Sequence, residues 1–215
     1  MSECRARIVR TYAGWTVLSA LRSGSPVKSR EQVYPLLRFV NFSFLLAPSS
    51  TPVTPDEFAK WHKEATSTLG HKEPALCVGW ASKMVNVYLK TAAYVGGLGR
   101  PGLAPLLHPP IDAGLWSGLR RRFAGRADLL AKTHLVTQIK AIRDYATYET
   151  IIAGCRDAAD LLGCLLLEVE QLWEGADYET RPNESGGVDG GITTLPHDGC
   201  ACPAATDPER SAKPS

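Results

Sequence analysis

Apolar residues recur along most of this chain at three- and four-residue spacing, the period of a helix with one buried face. Ile8, Tyr12, Trp15, Leu18 and Leu21 mark a first helix. Between Arg30 and Leu46 the pattern is mixed: Pro35 and the run from Phe39 to Leu46 leave helix and short strand both open. Thr54-Pro55-Asp56-Glu57 is a helix start, with a capping threonine, proline in the first turn and glutamate three residues after the cap. It predicts a helix from Pro55 to Leu69, ended by Gly70 and Pro74. From Val78 the residues Ala81, Met84, Val85, Tyr88, Ala92 and Val95 form one apolar face, while Lys83, Asn86, Lys90 and Tyr94 fall together on another. GGLGRPG at 96–102 stops that helix and opens a loop containing His108-Pro109-Pro110-Ile111-Asp112. Further helices are predicted over 113–123, 126–143, 145–162 and 165–173. The pattern predicts an all-α body over residues 1–178, with room for two helical lobes.

Residues 179–215 are rich in Gly, Pro, Ser and Ala and nearly devoid of large apolar side chains, which predicts a disordered tail. Composition changes little else. With 44% hydrophobic and 21% charged residues, a chain of 215 is an ordinary globular protein long enough for one sizeable core. No apolar run approaches the ~18 residues of a membrane span. The N-terminal stretch carries Arg5, Arg7 and Arg10 on an interrupted apolar pattern, so it reads as an amphipathic helix rather than a leader, and the expected location is cytoplasmic.

Charge is informative once the chain is divided. The tail holds three Lys/Arg against six Asp/Glu, which leaves 21 against 16 on residues 1–178. A body at +5 suits a nucleic-acid partner without requiring one. The six cysteines, at 4, 77, 155, 164, 200 and 202, form no CxxC pair and no Cys/His block with zinc spacing. Cys77, Cys155 and Cys164 read as reduced thiols among apolar neighbours, and Cys200-Ala201-Cys202 as a soft-metal or disulfide candidate. No phosphate or dinucleotide loop and no serine-nucleophile motif is present, so no cofactor is expected. His62 reads as a surface or half-buried histidine.

The stretch Val78-Gly-Trp-Ala-Ser-Lys-Met-Val-Asn-Val-Tyr-Leu-Lys90 carries the strongest chemical signal. Gly79, Lys83, Leu89, Lys90 and Tyr94, followed by Ile111-Asp112-Ala113-Gly114-Leu115, resemble the helix-hairpin-helix DNA glycosylases, in particular the 8-oxoguanine type. The likeness covers roughly Leu76 to Leu115. It implies that Lys83 is a nucleophile on the helix after a glycine-containing hairpin and that Asp112 is the catalytic aspartate, with DNA as partner. The family has a second glycine two residues before its lysine where this chain has Ala81, and GGLGRPGLAPLLHPP separates Tyr94 from the aspartate here.

The implied chemistry is coherent. An unprotonated amine attacks the sugar C1′ and displaces the base, a carboxylate stabilises the developing oxocarbenium or moves the proton, and aromatic rings wall the flipped base. Trp80, Tyr94 and Trp116 are the candidates for that wall. The backbone at Gly79 is the candidate to hold a phosphate, and Lys90, Arg120, Arg121 and Arg122 are candidates for further nucleic-acid contacts. Each residue has a plainer role available: Lys83 solvated on a polar face, Asp112 an N-cap, the tryptophans core anchors. A non-enzymatic helical protein, either with apolar helices forming a homo-oligomer or partner interface or binding DNA without catalysis, is the alternative function.

Overall fold

The computed structural model describes residues 1–21 and 24–173; the predicted tail and its Cys-Ala-Cys lie outside the described residues. The described residues are all-α, and none of their helices is long and apolar enough to cross a membrane. Helix α1 runs Glu3–Ala20, α2 Arg30–Phe39 and the single turn α3 Ser43–Leu46, which resolves the ambiguous second segment in favour of helix. The capping boxes at Ser29/Gln32 and Thr54/Glu57 both form, and the latter starts α4, Pro55–Lys72. Gly70 does not end α4, which runs on through His71 and Lys72, the lysine standing where the helix dipole favours a cation.

Helix α5, Val78–Leu89, departs most from the amphipathic expectation. Every residue from Gly79 to Leu89 is buried, because α1 and α4 pack on it and α8 and the 139–141 turn close it from another side. A helix covered all round has no solvated face, so Lys83 and Asn86 must find partners inside the protein. Lys90–Val95 continues it as a π-helical turn. After a loop come α6, Ala113–Arg122, capped by Asp112, then α7, Ala127–Thr133, and α8, Tyr145–Leu162, capped by Asp144 and ended by Gly163 at φ 65°.

The helix predicted over 126–143 is therefore cut short at Thr133. The Trp116 indole donates to the Thr133 carbonyl at 2.8 Å, and the His134 ring bonds the Thr133 hydroxyl and the Trp116 carbonyl. These contacts turn the chain so that Ile139–Ala141, a 3-10 turn, lands on the start of α5. There the Gly79 amide donates to the Ile142 carbonyl at 2.9 Å, and the Ile139 carbonyl sits where a β-carbon on residue 79 would be. The last predicted helix is a 3-10 segment, Leu166–Leu172.

Two apolar cores result. One is built by α1 to α5; the other by α6, α7 and α8 with Ile111, Ile142 and Val169. A buried polar network lies between them. Asn86 on α5 donates to the Pro109 carbonyl at 3.1 Å and to the Tyr148 hydroxyl at 2.9 Å, so its carbonyl faces His62 Nε2 at 2.8 Å. His62 must donate through Nε2, which leaves Nδ1 to accept from the Tyr145 hydroxyl at 2.8 Å. Tyr148 in turn donates to His108 Nδ1 at 2.9 Å. His62 is fully buried, against the surface or half-buried position expected for it.

Burial holds the His62 imidazole neutral: desolvation lowers its pKa from 6.5 to about 4, opposed only in part by the Asn86 hydrogen bond. Because the unfolded chain takes up that proton at higher pH, stability is at its full value above pH 6.5 and declines as pH falls towards 4. The loss amounts to about 3 kcal/mol for this group. Urea melts at pH 7.5 and pH 4.5 measure it; equal midpoints at the two values would contradict a neutral buried His62. At the other seam contact, Gly79→Ala should cost about 1–3 kcal/mol by overpacking against Ile139. Gly125→Ala, with no atom within 4 Å of the added carbon, should stay within about 0.5 kcal/mol of wild type in the same denaturation assay.

Candidate active site

The segment that leaves the polar network, Pro109 to Asp112, crosses from the first core to the second and ends at the start of α6. Asp112 has extended backbone, φ −157° and ψ −178°, and its Oδ1 accepts from the Leu115 amide at 3.1 Å as an N-cap. The same oxygen accepts from the Trp173 indole at 2.8 Å. The other, Oδ2, accepts from Lys83 Nζ at 3.1 Å. Capping and pairing are thus compatible in one carboxylate, one oxygen serving the helix and the other the lysine.

Lys83 is held from the opposite side. It projects from the middle of α5, and the ring of Trp80, one turn earlier, lies 5.9 Å from its ammonium nitrogen. Only 9% of the Lys83 side chain and 20% of the Asp112 side chain are exposed, and that exposure opens into a cleft of about 1250 Å³. Among the residues lining it are Trp15, Trp80, Tyr94 and Trp173, so aromatic surface stands around the ion pair.

Trp173 reaches Asp112 because two glycines let the final segment approach. Gly114 and Gly118, one turn apart on α6, leave no side chain where the Trp173 ring and the Leu172 carbonyl sit. That seating also brings the two carboxylates of the 166–172 segment into the cleft. Glu170 accepts from Lys90 Nζ at 2.6 Å, and Glu168 accepts from the Tyr94 hydroxyl at 2.5 Å. The Tyr94 hydrogen bond is the chief reason the Glu168 carboxyl is held below its ordinary range; the same bond raises the phenol of Tyr94.

Of the residues singled out from sequence, the structure gathers Lys83, Asp112, Trp80, Lys90 and Tyr94 around one cleft. It does not bring the others there. Trp116 is 4% exposed in the second core, where its indole ends α7, so it is no wall of this cleft. The Gly79 amide is already bonded to Ile142 and its Cα is covered by Ile139, which leaves no backbone surface for a phosphate. Arg120, Arg121 and Arg122 are exposed at the far end of α6, about 13 Å along the helix from Asp112 at 1.5 Å per residue. Lys90 is in the cleft but paired with Glu170.

Trp15, Trp173, Glu168 and Glu170 join the site without any sequence signal that pointed there. Trp15 and Trp173 are about 160 residues apart in the chain, and only the docking of α1 on α5 and of the last segment on α6 makes them neighbours of Lys83. The glycine pair 114/118 is the one local clue, since two small residues at i, i+4 permit close backbone approach. Among the described residues no group of three His, Cys, Asp or Glu side chains is arranged to hold a metal ion. Comparisons with protein-family models, curated proteins and solved structures find no match to this chain, so a functional reading rests on these residues and their geometry.

Proposed function

We propose that this protein is a DNA glycosylase/lyase that removes a flipped, modified or damaged nucleobase with Lys83 as nucleophile and Asp112 as its acid/base partner. The observation that carries the reading is the Lys83–Asp112 pair: an amine and a carboxylate 29 residues apart in sequence, 3.1 Å apart in space, on the wall of an aromatic cleft. Sequence resemblance adds to it, because the two residues are those that match the lysine and aspartate of the helix-hairpin-helix glycosylases.

In this reaction Asp112 takes a proton from the Lys83 ammonium, which frees the nitrogen lone pair. The amine attacks C1′ of the sugar as the glycosidic bond breaks, and the base leaves with the bonding electrons and the proton that Asp112 took up, which returns the carboxylate to its charged form. The negative carboxylate stabilises positive charge that develops on the sugar. Trp80 and Trp173 flank the reacting pair, and a planar base has π-faces to pack on in this cleft. Ring opening of the sugar leaves a Schiff base to Lys83, from which strand cleavage or hydrolysis follows.

Borohydride reduction in the presence of abasic-site DNA should trap a covalent adduct with the wild-type chain. Lys83→Gln should abolish the adduct, and Asp112→Asn should slow its formation by about 100-fold or more. Both variants are to be compared at matched helicity by circular dichroism. Undiminished trapping by the Lys83 variant, or none with wild type over a range of pH, would remove Lys83 from this role. A second expected outcome concerns Trp173. Trp173→Phe keeps the ring but loses the bond to Asp112, so trapping should slow while oligonucleotide affinity is retained. A loss confined to affinity would make Trp173 a binding residue instead.

A further inference from the structure

The cleft explains one face of Trp15 but not the rest of the α1 surface. At 100° per residue, Arg5, Ile8, Tyr12 and Trp15 fall within about 80° of one another, on the side of the helix away from buried Ala13 and Val17. Ile8, Tyr12 and Trp15 are 61%, 53% and 52% exposed. The two aromatic rings stack, centroids 5.5 Å apart and planes within 19°. Trp15 lines the cleft that holds Lys83, so this stack runs outward from its rim. Beyond the stack Arg5 is exposed on the same face, and Arg7 is exposed about 160° round the helix from it; among the described residues neither has a carboxylate within ion-pair distance.

We propose that this ridge is a platform for unpaired nucleotides of the strand that enters the cleft, with bases stacking on Trp15 and Tyr12 and a phosphate meeting Arg5. The inference rests on the nucleic-acid reading of the cleft and adds to it a strand type and a path. Charge complementarity selects the occupant. The cations expected to hold phosphate are engaged or distant: Lys90 is paired with Glu170, and Arg120 to Arg122 stand at the far end of α6. Arg5 is exposed on the ridge itself. A second copy laid on the same ridge would bring Arg5 of both chains to one interface, with Glu3 the only acid on α1. A paired duplex offers these rings no base face, because its bases are already stacked within the helix; an unpaired strand does.

The test uses the full chain and a fluorescently labelled oligothymidylate of about 12 nucleotides, a length within the reach of one single-strand site. Anisotropy titration should show preference for this strand over a duplex of equal length. Tyr12→Ala/Trp15→Ala should weaken binding at least tenfold, and both side chains are exposed enough that helicity should persist. Arg5→Ala should lower the slope of log K against log salt by about 0.7, one phosphate contact on a single strand. Exposed Leu135→Ala serves as a control and should bind as wild type does. Unchanged affinity in the aromatic double variant, equal affinity for duplex, or no oligonucleotide binding at all overturns the platform. Concentration-dependent dimerisation in sedimentation, lost in the same variant and without oligonucleotide binding, would assign the ridge to a second copy. The two proposals separate cleanly. Ridge-dependent binding without a borohydride adduct leaves the platform standing and removes the lysine chemistry; an adduct unaffected by the ridge variants does the reverse.

Discussion

A neutral imidazole enclosed by an amide and two phenols fixes the relation between the halves of this molecule. His62 and Asn86 belong to the first core, Tyr145 and Tyr148 to the second, and His108 and Pro109 to the segment between them. An apolar seam would tolerate sliding, because burial of area is not directional. A buried network is directional, and each unmet donor or acceptor costs about 1–3 kcal/mol, so its members accept one arrangement. Asn86 is the centre: rotating its amide would break the bonds to His62, Pro109 and Tyr148 together.

That constraint reaches the cleft through short covalent paths. Asn86 is three residues from Lys83 on the same helix, and Pro109 is three residues from Asp112. The network therefore holds the two elements that carry the amine and the carboxylate, while the pair itself forms at their exposed edge. Gly79 supports the same geometry from the start of α5, where its missing side chain lets the 139–142 turn close against the helix. Gly114 and Gly118 do so on α6, admitting Trp173 to the oxygen of Asp112 that caps the helix. Three glycines thus act by absence of volume rather than by conformational freedom.

The electrostatics of the cleft divide the work along the surface. Lys83 and Lys90 face Asp112, Glu168 and Glu170, so the interior carries no excess of positive charge. Such a lining suits chemistry at one bond and packing of a planar group better than it suits capture of a polyanion. Arg5 and Arg7 lie outside it, exposed on α1, where water and salt screen them and where, among the described residues, no carboxylate pairs with them.

The amino-acid sequence by itself determined the all-α class and most helix starts. These are local: a threonine, proline and glutamate at 54–57, or an aspartate at 144, satisfy amide groups within one turn and need no distant partner. It also pointed to Lys83 and Asp112 as a pair, through spacing and resemblance. It misjudged α5, since the helix period shows that one face is apolar but not how many neighbours will cover the others. It misplaced Trp116 and His62 for the same reason: an indole or imidazole serves equally at a surface, in a pocket or across a seam, and its partners Thr133 or Asn86 are chosen by packing. Tertiary structure alone decided that Gly79 faces Ile139 rather than solvent, that Trp15 and Trp173 border one cleft, and that Lys90 meets Glu170. Those contacts join residues 60 to about 160 positions apart, where the chain's local preferences carry no information about which surfaces will meet.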